Sequence, residues 1–364
     1  MTIIAVSPAN SLLSFPDNEW FHHAQEYDVA EKDYIAMWFN ARRRFGVSDT
    51  VYWGWFYPDT RTIEWKSWRH ADADGLAGLA IEMRKLGYPS TPLPVCNEQS
   101  VPSWKEIKAA KRAYPTEESA KTIHWRQKYH HSDDVTFKPE VAALTKAQSD
   151  HIKAYCKDIR VSHGNMLFAA LSRVISRELI DGNEPFYWFF PVNVRGATGI
   201  QTESFNQVSG VSMRVTPDSP ATEWQSQMRQ RMKAKEHWSM WKQACLSKYL
   251  GEWGTALAYK LTSGKQFFAG NCSNLGSWPL PHADNPENPN DGRLLVGASP
   301  GTANYPVSSS MIEWYGAIGL TLKLHPSICR DQKMVQTLSE AWKEEVLRES
   351  GQLDTQPTEN AKAL

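Results

Sequence analysis

The run Thr62-Ile63-Glu64-Trp65-Lys66-Ser67-Trp68 alternates apolar and polar side chains as a strand does, and Leu76-Ala77-Gly78-Leu79-Ala80-Ile81-Glu82-Met83 just after it has helical spacing. Only Arg69-His70-Ala71-Asp72-Ala73-Asp74-Gly75 separates them. The chain must therefore pass from sheet to helix through one short turn, with Asp-Gly as the turn signal. The strand holds the backbone of His70 and the turn exposes its imidazole. A histidine so placed is either a satisfied core residue or a fixed proton acceptor, and the local pattern alone leaves both open.

Around this turn the chain alternates strand and helix signals. Val29 to Phe45 repeats apolar residues at three and four, which predicts an amphipathic helix ending at Gly46. Arg42-Arg43-Arg44 falls in its last turn, where the charges suit a helix C-terminus on a wet surface or, alternatively, the phosphates of a CoA-like donor. Val51 to Tyr57 and Thr62 to Trp68 are expected to pair as strands across Pro58-Asp59. Trp104 to Tyr114 is expected to be helical, His124 to Asp134 irregular, and Lys138 to Asp150 a domain joint running into a helix over Thr145 to Cys156. A buried helix follows over His163 to Leu179, broken by Asp181-Gly182-Asn183. Phe186 to Val194 and Val208 to Val215 are expected as strands, Ala221 to Leu250 as one or two helices, and His282 to Asp291 as a loop. Strands over 294–298, 308–312 and 317–324 and a helix over 326–346 close the folded part. The division is an N-terminal lobe over 1–137, a C-terminal lobe over 138–351 and a disordered polar tail over 352–364.

Forty basic residues balance forty acidic ones, which gives no electrostatic case for nucleic acid or an anionic membrane as main partner. No apolar run approaches the roughly 20 residues of a membrane span and no leader opens the chain, so a soluble, cytoplasmic protein is expected. The five cysteines form no CxxC pair and are read as free thiols. The pairs His22-His23 and His130-His131, the latter beside Asp133-Asp134, lack metal-ligand spacing, so no metal is expected. The sixteen tryptophans are expected chiefly in the core, with some lining a wide apolar pocket.

Three segments in order carry a resemblance: His70-xxx-Asp74-Gly75, Pro191-Val192-Asn193-Val194-Arg195, and Ser273-Asn274-Leu275-Gly276. They resemble segments of the CoA-dependent acyltransferase superfamily: HxxxDG that of the superfamily at large, PVxxR that of its condensation-domain and wax-ester-synthase-like branch, and SNLG that of chloramphenicol-acetyltransferase-like and lipoyl-acyltransferase-like chains. Arg69 stands where the longer HHxxxDG form has its first histidine, a largely structural position. The resemblance implies an α/β (α+β) fold of two chloramphenicol-acetyltransferase-like lobes, each a mixed sheet flanked by helices, with the active-site tunnel between them. It implies an acyltransferase with His70 as general base and Asp74 and Gly75 completing the catalytic motif, where Asp74 is fixed by an ion pair to Arg195. Asn206, Ser273 and Asn274 become candidates for contacting substrate or oxyanion. The implied donor is acyl-CoA or an acyl carrier protein and the acceptor a small molecule with a hydroxyl or amine, with no further cofactor. An amide-forming condensation-like enzyme and a degenerate acyl- or protein-binding relative are the competing readings. Only 69 residues precede His70, fewer than in most two-lobed relatives, and the DFGWG segment of the plant-type branch is absent. Leu320 to Leu338 reads as a faded second copy of the motif, with His325 structural.

Overall fold

The computed structural model describes residues 33–117, 120, 122–126, 138–262 and 268–353. The lead-in over 1–20, both histidine pairs with Asp133-Asp134, and the tail from 354 lie outside the described residues. From Asp33, which caps it, the chain forms α1 (Tyr34–Arg43), and positive-φ Gly46 turns it into the hairpin of β1 (Thr50–Tyr57) and β2 (Thr62–Arg69). The turn at His70 opens α2 (Gly75–Lys85), and α3 (Trp104–Ala113) starts on a capping box of Ser103 and Glu106. Next come the two-residue β3 (His124–Trp125), β4 (Glu140–Leu144), α4 (Lys146–Asp158), α5 (His163–Leu179), β5 (Ile180–Asp181), β6 (Phe186–Asn193) and β7 (Val208–Val215). Three helices, α6 (Ala221–Lys233), α7 (Glu236–Ala244) and α8 (Ser247–Thr262), precede β8 (Phe268–Trp278), β9 (Leu294–Ala298), β10 (Val307–Trp314), β11 (Ala317–Leu324) and α9 (Gln332–Glu349).

The six-stranded sheet has the order β4-β11-β10-β8-β6-β7 and is mixed, since β8 runs parallel to both β6 and β10 while the other pairs are antiparallel. One face carries α5 and α9. Helix α5 is buried over most of its circumference, and Trp188 and Trp342 bury whole indoles there by donating to Ser172 Oγ at 2.9 Å and the Leu167 carbonyl at 2.7 Å. The other face meets a three-stranded antiparallel sheet, β2-β1-β9, whose third strand comes from the C-terminal part of the chain. Side chains of β9, β10 and β11 fill the seam, as where Gly319 admits Val296. A Cβ at that glycine would stand 2.7 Å from a Val296 methyl.

A hairpin-histidine-helix unit occurs twice. The amide of His70 donates to the Asp49 carbonyl and that of His325 to the Pro306 carbonyl, both at 2.7 Å, so each histidine extends its hairpin by one rung. Each unit then starts a helix on an aspartate cap, Asp74 for α2 and Asp331 for α9. In three places the fold departs from the sequence expectation. The joint over 138–150 contains β4, because Val141, Ala142 and Leu144 become buried by pairing with β11. Left-handed Lys235 ends the first of the helices after Ala221, and α8 runs twelve residues past Leu250. Finally, 326–331 form the turn of the second unit, so α9 begins only at Gln332.

Candidate active site

The turn after β2 is fixed from three sides. Amides of Asp72 and Ala73 return to the Arg69 carbonyl, and the Trp68 indole lies over Gly78 with its N–H on the Ala73 carbonyl at 3.0 Å. A Cβ at position 78 would stand 2.2 Å from that indole, so only glycine lets strand and helix close on each other here. Asp74, 2% exposed, does the rest. Its Oδ1 accepts from the amides of Leu76 and Ala77 at 3.1 Å each, and Oδ2 from Arg195 Nη2 at 2.6 Å and the Gln207 amide at 2.9 Å. A buried carboxylate with four donors, one of them a cation, is satisfied. Because Arg195 follows β6 and Gln207 precedes β7, this clamp fastens the histidine turn to the larger sheet.

The His70 ring stacks on Phe39 of α1, with ring centres 4.1 Å apart and planes 18° off parallel. Its Nδ1 lies 2.9 Å from Asn206 Oδ1. Asn206 is buried, and both its amide and its Nδ2 donate to Asp33 Oδ2 at 2.7 Å. The other oxygen of Asp33 caps α1. Asp33 only accepts, so the Asn206 side-chain NH₂ must face it and the Oδ1 must face the imidazole. Nδ1 therefore carries the proton and Nε2 the lone pair. Burial pushes the His70 pKa below its ordinary value, opposed by the Asp74 charge, the residue's own backbone carbonyl and Asn206, and aided by Arg42. The ring is neutral at pH 7.

His70 lines a cavity of about 360 Å³ where the two sheets meet. Phe39 and Arg42 of α1, Tyr52 of β1, Phe189 and Pro191 of β6, and Tyr305 supply much of its wall. Of the residues expected from sequence, His70, Asp74, Gly75, Arg195, Ser273 and Asn274 all border it. Gly75 opens α2 against Leu275, whose methyl would stand 2.8 Å from an added Cβ. Ser273 Oγ lies 3.4 Å from Asn271 Nδ2 as an acceptor, which leaves its hydroxyl hydrogen to point elsewhere. Asn274 turns its Oδ1 to the Gly276 amide at 3.0 Å. Two residues stand apart from the cavity. Arg69 is outside, held by Asn40 at 2.6 Å and Asp49 at 3.5 Å, a packing role at the base of the turn. Asn206, expected to touch substrate or oxyanion, is instead turned onto the back of His70, because Asp33 claims its NH₂ group. Sequence reasoning passed over Asp33 and Phe39. An aspartate before a helical run is a readable cap signal, but its second oxygen serves a residue 173 positions away.

No family model matches the chain, and no curated protein matches it. Among solved structures the chain is similar to the cyclization-docking bidomain of the EpoB nonribosomal peptide synthetase from Sorangium cellulosum, at 13% identity and TM-score 0.50. That match covers 79% of this chain and 60% of the other, so the chain spans less than two thirds of it. It is also similar to the epimerization domain of the third module of tyrocidine synthetase B, at 10% identity and TM-score 0.44 over 78% of this chain and 68% of that one. A trichothecene 15-O-acetyltransferase from Fusarium sporotrichioides matches at 14% identity and TM-score 0.38 over 67% and 51% of the two chains. The likeness is one of fold: the chain has the mixed α/β architecture of the cyclization domain, the condensation-type, chloramphenicol-acetyltransferase-like fold that its three segments resemble.

Proposed function

We propose that the protein is an acyltransferase that moves an acyl group from a thioester, acyl-CoA or an acylated carrier protein, to a hydroxyl or amine, with His70 as general base. The observation that carries this reading is the orientation of one imidazole. Its Nδ1–H is held by Asn206, its ring borders the cavity, and Nε2 has no partner among the described residues. The acceptor's O–H or N–H gives its proton to Nε2 while its oxygen or nitrogen attacks the thioester carbon. The Ser273 hydroxyl faces the tetrahedral oxyanion as a donor. Collapse breaks the carbon–sulfur bond, and the imidazolium returns the proton to the departing thiolate, which leaves an ester or amide and a free thiol. A depressed pKa serves both halves, since the ring starts neutral and its conjugate acid gives up the proton readily. Activation already resides in the thioester, so the step needs neither a metal nor a covalent enzyme intermediate.

The test is thiol release from a panel of acyl-CoAs and an acylated carrier protein, with alcohols and amines as acceptors. Turnover is expected in the wild type, with an acid limb of kcat/KM below pH 6.5, and His70→Ala is expected to lose about 10²- to 10⁴-fold. Full turnover by a folded His70→Ala, or thiol release from no donor at all, ends the reading.

A further inference from the structure

The three arginines at the end of α1 have different fates. Arg43 reaches Asp49 at 3.5 Å and Arg44 reaches Glu252 at 2.5 Å. Arg42 turns inward instead and lines the cavity, with its guanidinium carbon 5.2 Å from the centre of the Phe39 ring. Among the described residues no carboxylate lies within ion-pair distance of it. The phenol of Tyr259 hydrogen-bonds it, and the nearby Tyr305 is another phenol. A guanidinium stays protonated at any working pH. Asp49 acts on it only from beyond ion-pair distance and is itself engaged by Arg43 and Arg69. With only phenols and an aromatic face at close range, the guanidinium is undercompensated, and the partner it fits best is a carboxylate held by two parallel N–H bonds.

Its position decides what that carboxylate belongs to. Phe39 stacks on His70 with ring centres 4.1 Å apart, so Arg42 can be no farther from the imidazole than this distance and the 5.2 Å together. A phosphopantetheine arm spans about 15 Å from sulfur to phosphate when extended, counting its bonds as those of a peptide chain. An arm that enters extended therefore carries its phosphate past Arg42. The anion that this guanidinium meets beside His70 then sits on one of the reacting groups.

We propose that Arg42 anchors a carboxylate on the substrate bound beside His70, which makes the acceptor an amino acid or hydroxy acid whose nucleophile lies a few bonds from its carboxylate. This rests on the acyl-transfer reading, and the experiment separates the two. In a binding arm that needs no turnover, the fluorescence of Trp38 and Trp241, both in the cavity wall, is titrated with 3-phenylpropionate and with its neutral amide. The wild type is expected to hold the acid about 10- to 100-fold more tightly than the amide. Arg42→Gln is expected to bring the acid down to the level of the amide, and Arg42→Lys to keep part of the preference. Equal affinity for acid and amide in the wild type, or unchanged discrimination in Arg42→Gln, overturns the anchor. In a turnover arm, acetyl-CoA is offered with phenylalanine or phenylalaninamide, and malonyl-CoA with the amide. A loss in Arg42→Gln confined to phenylalanine places the carboxylate on the acceptor, and one confined to malonyl-CoA places the same anchor on the acyl group. An equal loss with every pair overturns it. Acid discrimination without thiol release would leave the anchor standing and remove the acyl-transfer reading.

Discussion

Replacing Arg195 by methionine removes a buried guanidinium and leaves the buried Asp74 carboxylate with three backbone amides and no cation. Methionine fills most of the volume, so the cost is chiefly that of an uncompensated buried charge. Breaking such a pair from one side costs about 3–5 kcal/mol. At roughly 2–4 °C per kcal/mol for chains approaching this size, the melting temperature is expected to fall by roughly 6–20 °C. Asp74→Asn should lose a comparable amount from the other side. An asparagine still caps α2, so the loss reports the ion pair rather than the helix end. The double variant buries no unpaired charge, so its loss should be about 1–3 kcal/mol smaller than the sum of the single losses. Urea denaturation followed by circular dichroism, run as a double-mutant cycle, measures this coupling. At a temperature where every variant is folded, Arg195→Met should also release thiol more slowly, because Gln207 loosens beside Asn206, which holds His70. A single loss under about 0.5 kcal/mol, or strict additivity in the cycle, would show that the clamp does not hold the turn.

Asn206→Ala removes the acceptor that keeps the proton on Nδ1 and should lower kcat by about 10- to 100-fold, short of the roughly 10⁴-fold cost of an inverted tautomer. Imidazole nitrogen NMR should show loss of the single Nδ1–H form, and an unaltered tautomer in the variant would remove Asn206 from the mechanism. Lys323, whose ammonium meets the Pro300 carbonyl at 2.9 Å and the Tyr52 ring among the described residues, has its pKa pushed down to about 8 by burial. A lysine whose folded pKa lies below the unfolded value of 10.5 destabilises the protein at pH below about 8, and this penalty fades as pH rises to 10.5. Lys323→Met should therefore add about 1–2 kcal/mol at pH 7, allowing for partial exposure, with the gain shrinking toward pH 10. A gain independent of pH in denaturation curves would point to packing instead.

What the sequence made legible is what is written locally. Helix α5 occupies the span its apolar residues mark, and the β1–β2 hairpin pairs across Pro58-Asp59. The turn from Trp68 to Gly75 is set by its own residues, down to the indole seated on Gly78. What stayed hidden depends on partners far along the chain. Nothing in Glu140-Val141-Ala142-Ala143-Leu144 marks it as a strand, because its burial comes from β11. Three adjacent arginines at a helix end read as a solvated cluster or a phosphate site, yet α1 turns Arg42 into the cavity while Arg43 reaches the buried Asp49 and Arg44 the exposed Glu252. Asn206 shows the limit most sharply. A polar residue before a strand is easily picked out, but whether it presents its oxygen or its nitrogen to His70 is decided by Asp33, which takes the NH₂ group. Were Asp33 a donor instead, Asn206 would offer its own N–H to Nδ1, the proton would move to Nε2, and the nitrogen that Asn206 leaves free would carry a proton where the proposed chemistry needs a base. Which nitrogen of His70 can accept a proton is thus a property of the folded arrangement, and the motif around the histidine carries no information about it.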